Sequence, residues 1–325
     1  MRNSAIQTAH LKSIRLAQID SQDDTFRITT RTDTHDLQVS ITHEGLLNPP
    51  VIIRKTAAFT IVSGFRRIVA CRNIGYDEIP ARVLEPGLCS LDCLRIAIAE
   101  NALQRPLNLI ETSRSLHKLS SLLNESKGLA KAADSLGLPA NPSIINKIKD
   151  LCFLPWPVQS AILEDTISLS IAVDLGFLEP DIAIAFVRLF NQLKIGLNKQ
   201  KEIVTLIKEI AERDNISILR VMEDDKMQAM LSSEDFDRAQ KGRILRSILR
   251  QKRFPRIVAA EDNFALYRRK LKLGNEIKLI PPREFEGTAY TLTLTFSDPA
   301  HLKVLQSRLH EITENPWFGK IFKIK

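Results

Sequence analysis

The sequence predicts an α+β protein in three parts: a mixed α/β domain over residues 1–125, an all-helical middle domain over 126–254 and a small α+β domain over 255–325. Three observations predict it. Short β-branched and aromatic runs are interspersed with helical stripes in the first part. From residue 128 to about 253, amphipathic helices follow one another with short breaks and no convincing strand. Beyond residue 255, Tyr290, Leu292, Leu294 and Phe296 alternate with threonines at a period of two, just ahead of one more helix.

Taken in order, Asp36 to Glu44 places Leu37 and Ile41 on one face and stops at Gly45, which suits a short helix. Val51-Ile52-Ile53 and Phe59-Thr60-Ile61-Val62 read as strands close enough to pair as a hairpin. Arg66 to Asn73 reads as a helix ended by Gly75, and Ile79 to Val83 as another strand. Leu91 to Leu103 is predicted helical, with Leu94, Ile98 and Ala102 on one stripe, and Pro106 ends it. Leu109 to Asn124 is helical with Leu116, Leu119 and Leu123 inward. The middle domain breaks at 137–139, 155–157, 176–180 and 196. In the last domain Ile277 to Ile280 and Thr288 to Phe296 are predicted strands, and Asp298-Pro299 opens a helix to about Thr313.

Composition bounds the function. The chain is 44% hydrophobic and 26% charged, as expected of a globular protein, and no apolar run approaches the length that spans a bilayer. With no leader-like N-terminus, cytoplasmic residence is expected. Cys71, Cys89, Cys93 and Cys152 are too few for a disulfide scaffold and are expected as reduced, packed thiols. The net charge is +8, yet residues 241–325 alone hold 18 Lys/Arg against 8 Asp/Glu. A concentrated basic region is the footprint of a polyanion partner, nucleic acid first.

Four segments carry chemistry. In Ser63-Gly64-Phe65-Arg66-Arg67-Ile68-Val69-Ala70, a glycine at a strand-to-helix junction precedes a helix N-terminus and two forked cations. That pattern describes an anion site for phosphates, or two solvated arginines on a surface helix. In Glu100-Asn101-Ala102-Leu103-Gln104-Arg105, Glu100 and Asn101 are reasonable hard ligands for Mg²⁺ and Arg105 is in reach of a phosphate; a plain polar helix end is the other reading. Between Gly128 and Pro155, two short helices form a helix-turn-helix. Asn141 caps the second, Ile144, Ile145, Ile148 and Leu151 face inward, and Ser143, Asn146, Lys147 and Lys149 face outward as DNA-contact candidates. Lys241 to Arg256 holds seven basic residues and no acid, with Arg243, Arg246, Arg250 and Arg253 on one face, either solvated or against phosphates.

In this order the segments resemble the ParB family of chromosome and plasmid partition proteins over roughly residues 10 to 210. Asp36 to Ile41 with Gly45 to Pro50 is similar to its opening helix and glycine-proline box, Ser63 to Ala70 to its phosphate box, and Glu100 to Arg105 with Leu107-Asn108 and Glu111 to its Glu-Asn box. The resemblance implies a ParB/sulfiredoxin-like N-terminal fold that binds CTP with Mg²⁺, closes a dimeric clamp on double-stranded DNA and acts in segregation. It implies Gly45 and Asn48 near base and sugar, and Gly64, Arg66 and Arg67 near the phosphates, with Asn101, Gln104 and Arg105 beside them. Glu100 and Asn101 would serve the metal, and Glu100 any hydrolytic water. Homodimerisation through the C-terminal domain, and a partition ATPase as further partner, are expected.

Three departures from the family pattern matter. Phe65 stands where the phosphate box usually has Glu, which weakens the case for hydrolysis. The Glu-Asn box is shifted by one residue, and the turn between the two DNA-binding helices is about two residues longer. Sulfiredoxin chemistry is excluded because Phe65 occupies the place of its cysteine. A ParB-fold nuclease would need clustered carboxylates, and a nucleotide-dependent kinase would not need a helix-turn-helix. A transcriptional regulator without nucleotide gating remains the other class.

Overall fold

The computed structural model describes residues 9–55, 58–123 and 126–324, and its contacts gather into two compact units, Met1–Asn191 and Gln192–Lys325. The first unit opens with strand β1 (His10–Arg15) and the two-residue β2 (Ile19–Asp20), followed by helix α1 (His35–Glu44). Next come β3 (Val51–Arg54), β4 (Phe59–Ser63), α2 (Phe65–Asn73) and β5 (Glu78–Leu84). The sheet order is β1-β5-β3-β4-β2. The predicted hairpin is present, since β3 and β4 pair antiparallel, while β3 and β5 run parallel with Ile52 opposite Val83. Ile52, Ile68 and Ile79 are wholly buried and join sheet and α2 in one core.

Helices α3 (Ser90–Gln104) and α4 (Leu109–Leu122) follow. Asn108 and Glu111 form a reciprocal capping box at the start of α4. Then come α5 (Ser126–Asp134), α6 (Pro142–Ile148), α7 (Trp156–Leu163), α8 (Leu169–Gly176) and α9 (Pro180–Leu193). The side chain of Asn141 accepts from the N–H of Ser143 at 2.9 Å and starts α6 as predicted. Ile145, Ile148 and Leu151 are buried, but Ile144 is 43% exposed. The expected inward stripe is narrower because α6 has only seven residues and seats one edge, not a full face.

The second unit holds α10 (Leu197–Asp214), α11 (Ile218–Met222), α12 (Asp225–Ser232), α13 (Arg238–Arg253) and α14 (Pro255–Leu271). It ends with strands β6 (Ile277–Ile280) and β7 (Thr291–Leu294) and helices α15 (Pro299–Glu314) and α16 (Pro316–Ile321). The α+β reading of the C-terminal region holds, with two revisions. The strand expected over Thr288–Phe296 is confined to Thr291–Leu294, because β6 is its sole partner strand among the described residues. Residues Pro255–Leu271, which precede it, form the long helix α14, with Pro255 at its first position.

Candidate functional site

Strand β4 delivers the chain to Gly64, which has φ +92. A Cβ there would lie 2.8 Å from the Pro50 Cβ, so glycine is required both by the left-handed backbone and by the close approach. No side chain caps the start of α2, which leaves its first N–H groups facing an adjoining cleft of about 540 Å³. Asn48, Gly64, Arg66, Arg67, Asn101, Gln104 and Arg105 all line this cleft. Residues 63–67 from β4–α2 and residues 101–105 from the end of α3, far apart in sequence, thus meet around one cavity.

The arginines are held differently. Arg66 Nε donates to the Asp33 carbonyl at 2.7 Å. Arg67 is a strap: Nη1 donates to the Asn48 carbonyl at 2.7 Å and Nη2 to Glu100 Oε1 at 2.5 Å. Glu100 Oε2 is buried without a hydrogen-bond partner. Asn101 Nδ2 donates to the Ala97 carbonyl at 2.8 Å. Arg105 makes a two-pronged pair with Glu111, at 2.7 and 2.6 Å. Glu111 is fully buried and also accepts from the N–H of Thr30 at 3.0 Å and of Asn108 at 3.2 Å. Burial pushes its carboxyl up, and the Arg105 guanidinium with these N–H groups more than offsets that, so it lies below the usual carboxylate range.

Gly45 is not among the described residues that line the cleft; it ends α1 at φ +73. Phe26, Ile28, Thr29, Arg31 and Leu37 line it and were not singled out from the sequence. They lie in or just after a polar stretch, residues 21–36, with no helical or strand period, so nothing there pointed to a wall. No group of three or more metal-ligating side chains occurs among the described residues. Glu100, like Gly45, is not among the described residues that line the cleft; it is tied to the lining by its pair with Arg67, so a divalent cation would find the Asn101 amide on the wall and this one carboxylate next to it in sequence. The unpartnered Glu100 oxygen fits a Mg²⁺ that brings most of its ligands as phosphates and water.

Helix α6 presents Ser143, Asn146 and Lys147 to solvent, with Lys149 half-buried at its end. Helix α4 fixes α6 from behind: Ser113 Oγ donates to the Lys149 carbonyl at 3.1 Å and accepts from the Cys152 N–H at 2.9 Å. In the second unit, Arg246 pairs with Glu202 at 2.6 Å, Arg253 with Glu209 at 2.7 Å and Arg250 with Glu261 through two 2.6 Å bonds. Lys252 pairs with Asp224. Of the predicted stripe, Arg243 alone is exposed with no ion pair among the described residues. All four cysteines are free; burial, then the nearby Cys89 and Asp92, push the Cys93 thiol up to about 11.

Residues 2–102 match the family model of the ParB N-terminal domain. The N-terminal part of the chain is thus similar to the ParB N-terminal domain. The chain is 31% identical over 135 residues to the probable chromosome 1-partitioning protein ParB of Deinococcus radiodurans, covering 42% of this chain and 44% of that one. It is 30% identical over 134 residues to the stage 0 sporulation protein J of Bacillus subtilis, covering 41% and 45%. The chain thus spans less than half the length of these relatives. A C-terminally truncated ParB from Caulobacter crescentus, solved with CTP-gamma-S, is similar at 24% identity with a TM-score of 0.27, over 55% of this chain and 97% of that one. No helix of the described residues is long and apolar enough to cross a membrane.

Proposed function

We propose that this protein is a nucleotide-gated DNA-binding protein of the partition type. The observation that carries the reading is the cleft in which the uncapped start of α2, Arg66 and Arg67 face Asn101, Gln104 and Arg105. Helix N–H groups and guanidinium forks recognise phosphate oxygens. The apolar side chains of Phe26, Ile28, Leu37 and Phe65 in the same wall suit the flat part of a nucleotide. CTP is the nucleotide that the family resemblance implies. A Mg²⁺ bound with it, held by Glu100 and Asn101, would neutralise phosphate charge.

Ser143, Asn146 and Lys147 on α6, with Lys149 behind them, are the proposed duplex-reading residues. Helix α4 links the two functions physically. Glu111 in its first turn holds Arg105 of the cleft wall, and Ser113, two residues on, holds the chain that leaves α6. We assign the protein to the cytoplasm as a homodimer on DNA, with a partition ATPase as partner.

Calorimetric titration with CTP, ATP and GTP in Mg²⁺, with and without duplex DNA, tests this. CTP is expected to bind best. Arg67→Ala and Arg66→Ala are each expected to weaken it by about tenfold or more, the worth of one charged hydrogen bond. Absence of CTP binding, or binding unchanged in both variants at full helicity, refutes the reading.

A further inference from the structure

The charge asymmetry of this chain follows its two units. Residues 1–191 hold 20 Lys/Arg and 20 Asp/Glu, whereas residues 192–325 hold 26 against 18. The most basic stretch of that second unit, 241–256, is largely spent internally. Glu202 and Glu209 on α10 take Arg246 and Arg253, both pairs stepping by seven residues, while Glu261 takes Arg250 and Asp224 takes Lys252. The unneutralised charge therefore lies elsewhere.

It gathers where α14 ends. Arg268, Arg269, Lys270 and Lys272 are all exposed, and residues 263–275 contain no acid. Lys272 takes up the left-handed C-cap position, and Lys278 follows on the outer face of β6. Arg308 of α15 lies over the same turn, 3.5 Å from the Lys272 carbonyl, and Glu276 is the one carboxylate there, 3.6 Å from Arg308. On the adjoining side, Tyr267 packs against Trp317 with ring centroids 5.5 Å apart, and Lys320 lies 4.1 Å over the Trp317 ring. Lys270 is three residues from Tyr267 and so shares its face. Cations at a helix C-terminus do favour the macrodipole, but that effect fades within the last turn and does not account for Lys278, which lies on β6.

We infer that the end of α14, with Lys278 and Lys320, is a surface for the nucleic-acid backbone, read without regard to sequence, and that the basic stripe of α13 is a structural brace. A polyphosphate backbone suits this surface. It offers closely spaced negative charges to dispersed cations, and half-exposed aromatic rings lie among those cations. The inference does not depend on nucleotide binding in the N-terminal cleft, and its test contains no nucleotide.

Fluorescence anisotropy of the full-length protein on a labelled duplex of random sequence, over a series of salt concentrations, provides the test. In the variant R268Q/R269Q/K270Q/K272Q, the slope of log affinity against log salt is expected to flatten by up to about 3.6, since each lost phosphate contact removes about 0.9. In R246Q/R250Q/R253Q the slope is expected to stay at the parent value while the melting temperature falls. K278Q/K320Q, neither of which is in an ion pair among the described residues, is expected to flatten the slope in the same direction and serves if the quadruple variant does not fold. An unchanged slope in every folded variant of the α14 surface overturns the inference. So does a flattened slope in the α13 variant at a temperature where it is folded. Equal binding of the protein to anionic lipid vesicles or to polyglutamate would show a charge sink with no preference for nucleic acid and would also overturn it.

Discussion

At the scale of single residues, the cleft depends on two positions with opposite chemistry. Gly64 combines φ +92 with a space only 2.8 Å from the Pro50 Cβ. Gly64→Ala is therefore expected to destabilise the first unit by about 1–3 kcal/mol and to abolish phosphate binding, measured by urea denaturation and by titration. Glu111 is the second. Its folded carboxyl lies below the usual range, so its stabilising contribution is fully present above the unfolded value and is lost as pH falls through the folded one. Glu111→Ala is expected to cost about 3 kcal/mol near neutrality, because it strands the buried end of Arg105. The gap between variant and parent should narrow as pH drops through the acid range; a constant gap would exclude this role. The glycine and the two arginines were legible in the sequence because a strand-to-helix junction announces an anion site. Glu111 was legible only through the resemblance of its segment to the Glu-Asn box. Its acceptance of the Thr30 N–H and its pairing with Arg105 depend on a loop that has no period of its own.

At the scale of elements, the contrast between α13 and α6 is instructive. Arg246, Arg250 and Arg253 do share a face, as the sequence predicts, but the face packs beside acids of α10 and α14. A count of cations without acids along one segment cannot see partners that arrive from other helices. Since these pairs are one-third to one-half exposed, each contributes no more than about 1 kcal/mol, and salt screens it. R246Q/R250Q/R253Q should therefore melt below the parent at low salt and close to it at high salt. Helix α6 behaves differently. Its start is fixed by Asn141, and Asn141→Ala is expected to cost about 1 kcal/mol by thermal denaturation and to weaken specific-duplex binding more than random-duplex binding. Much of the fold was readable because local signals agreed: the β-branched runs of β3 and β4, the Asn141-Pro142 cap, the Asp298-Pro299 cap. Strand β1 was not readable, since only Ile14 among its six residues is buried and an edge strand of that kind shows no alternation. Helix α14 was hidden because Phe254-Pro255, which marks its beginning, reads equally well as the start of a loop.

At the scale of the whole molecule, two units with separate cores and different charge imply that two properties can be taken apart. The first unit buries Ile52, Ile68 and Ile79 within the sheet domain and carries no net charge. The second buries Ile203, Ile207, Leu245 and Leu249 between its long helices. It adds a distinct cluster around Phe264, Ile277 and Leu305, and carries the whole excess of Lys and Arg. Each core is large enough to order its own segment. A polypeptide of residues 192–325 is therefore expected to show cooperative thermal unfolding by circular dichroism and to retain the salt slope of the parent on random duplex. Residues 1–191 alone should keep CTP binding and lose most of that slope. If the 192–325 polypeptide unfolds without a transition, its helices need the first unit to fold. If it folds but leaves the slope behind in residues 1–191, the Lys and Arg excess is not what grips the backbone. The two outcomes separate a failure of domain autonomy from a failure of the charge argument, because one is read from helicity and the other from salt.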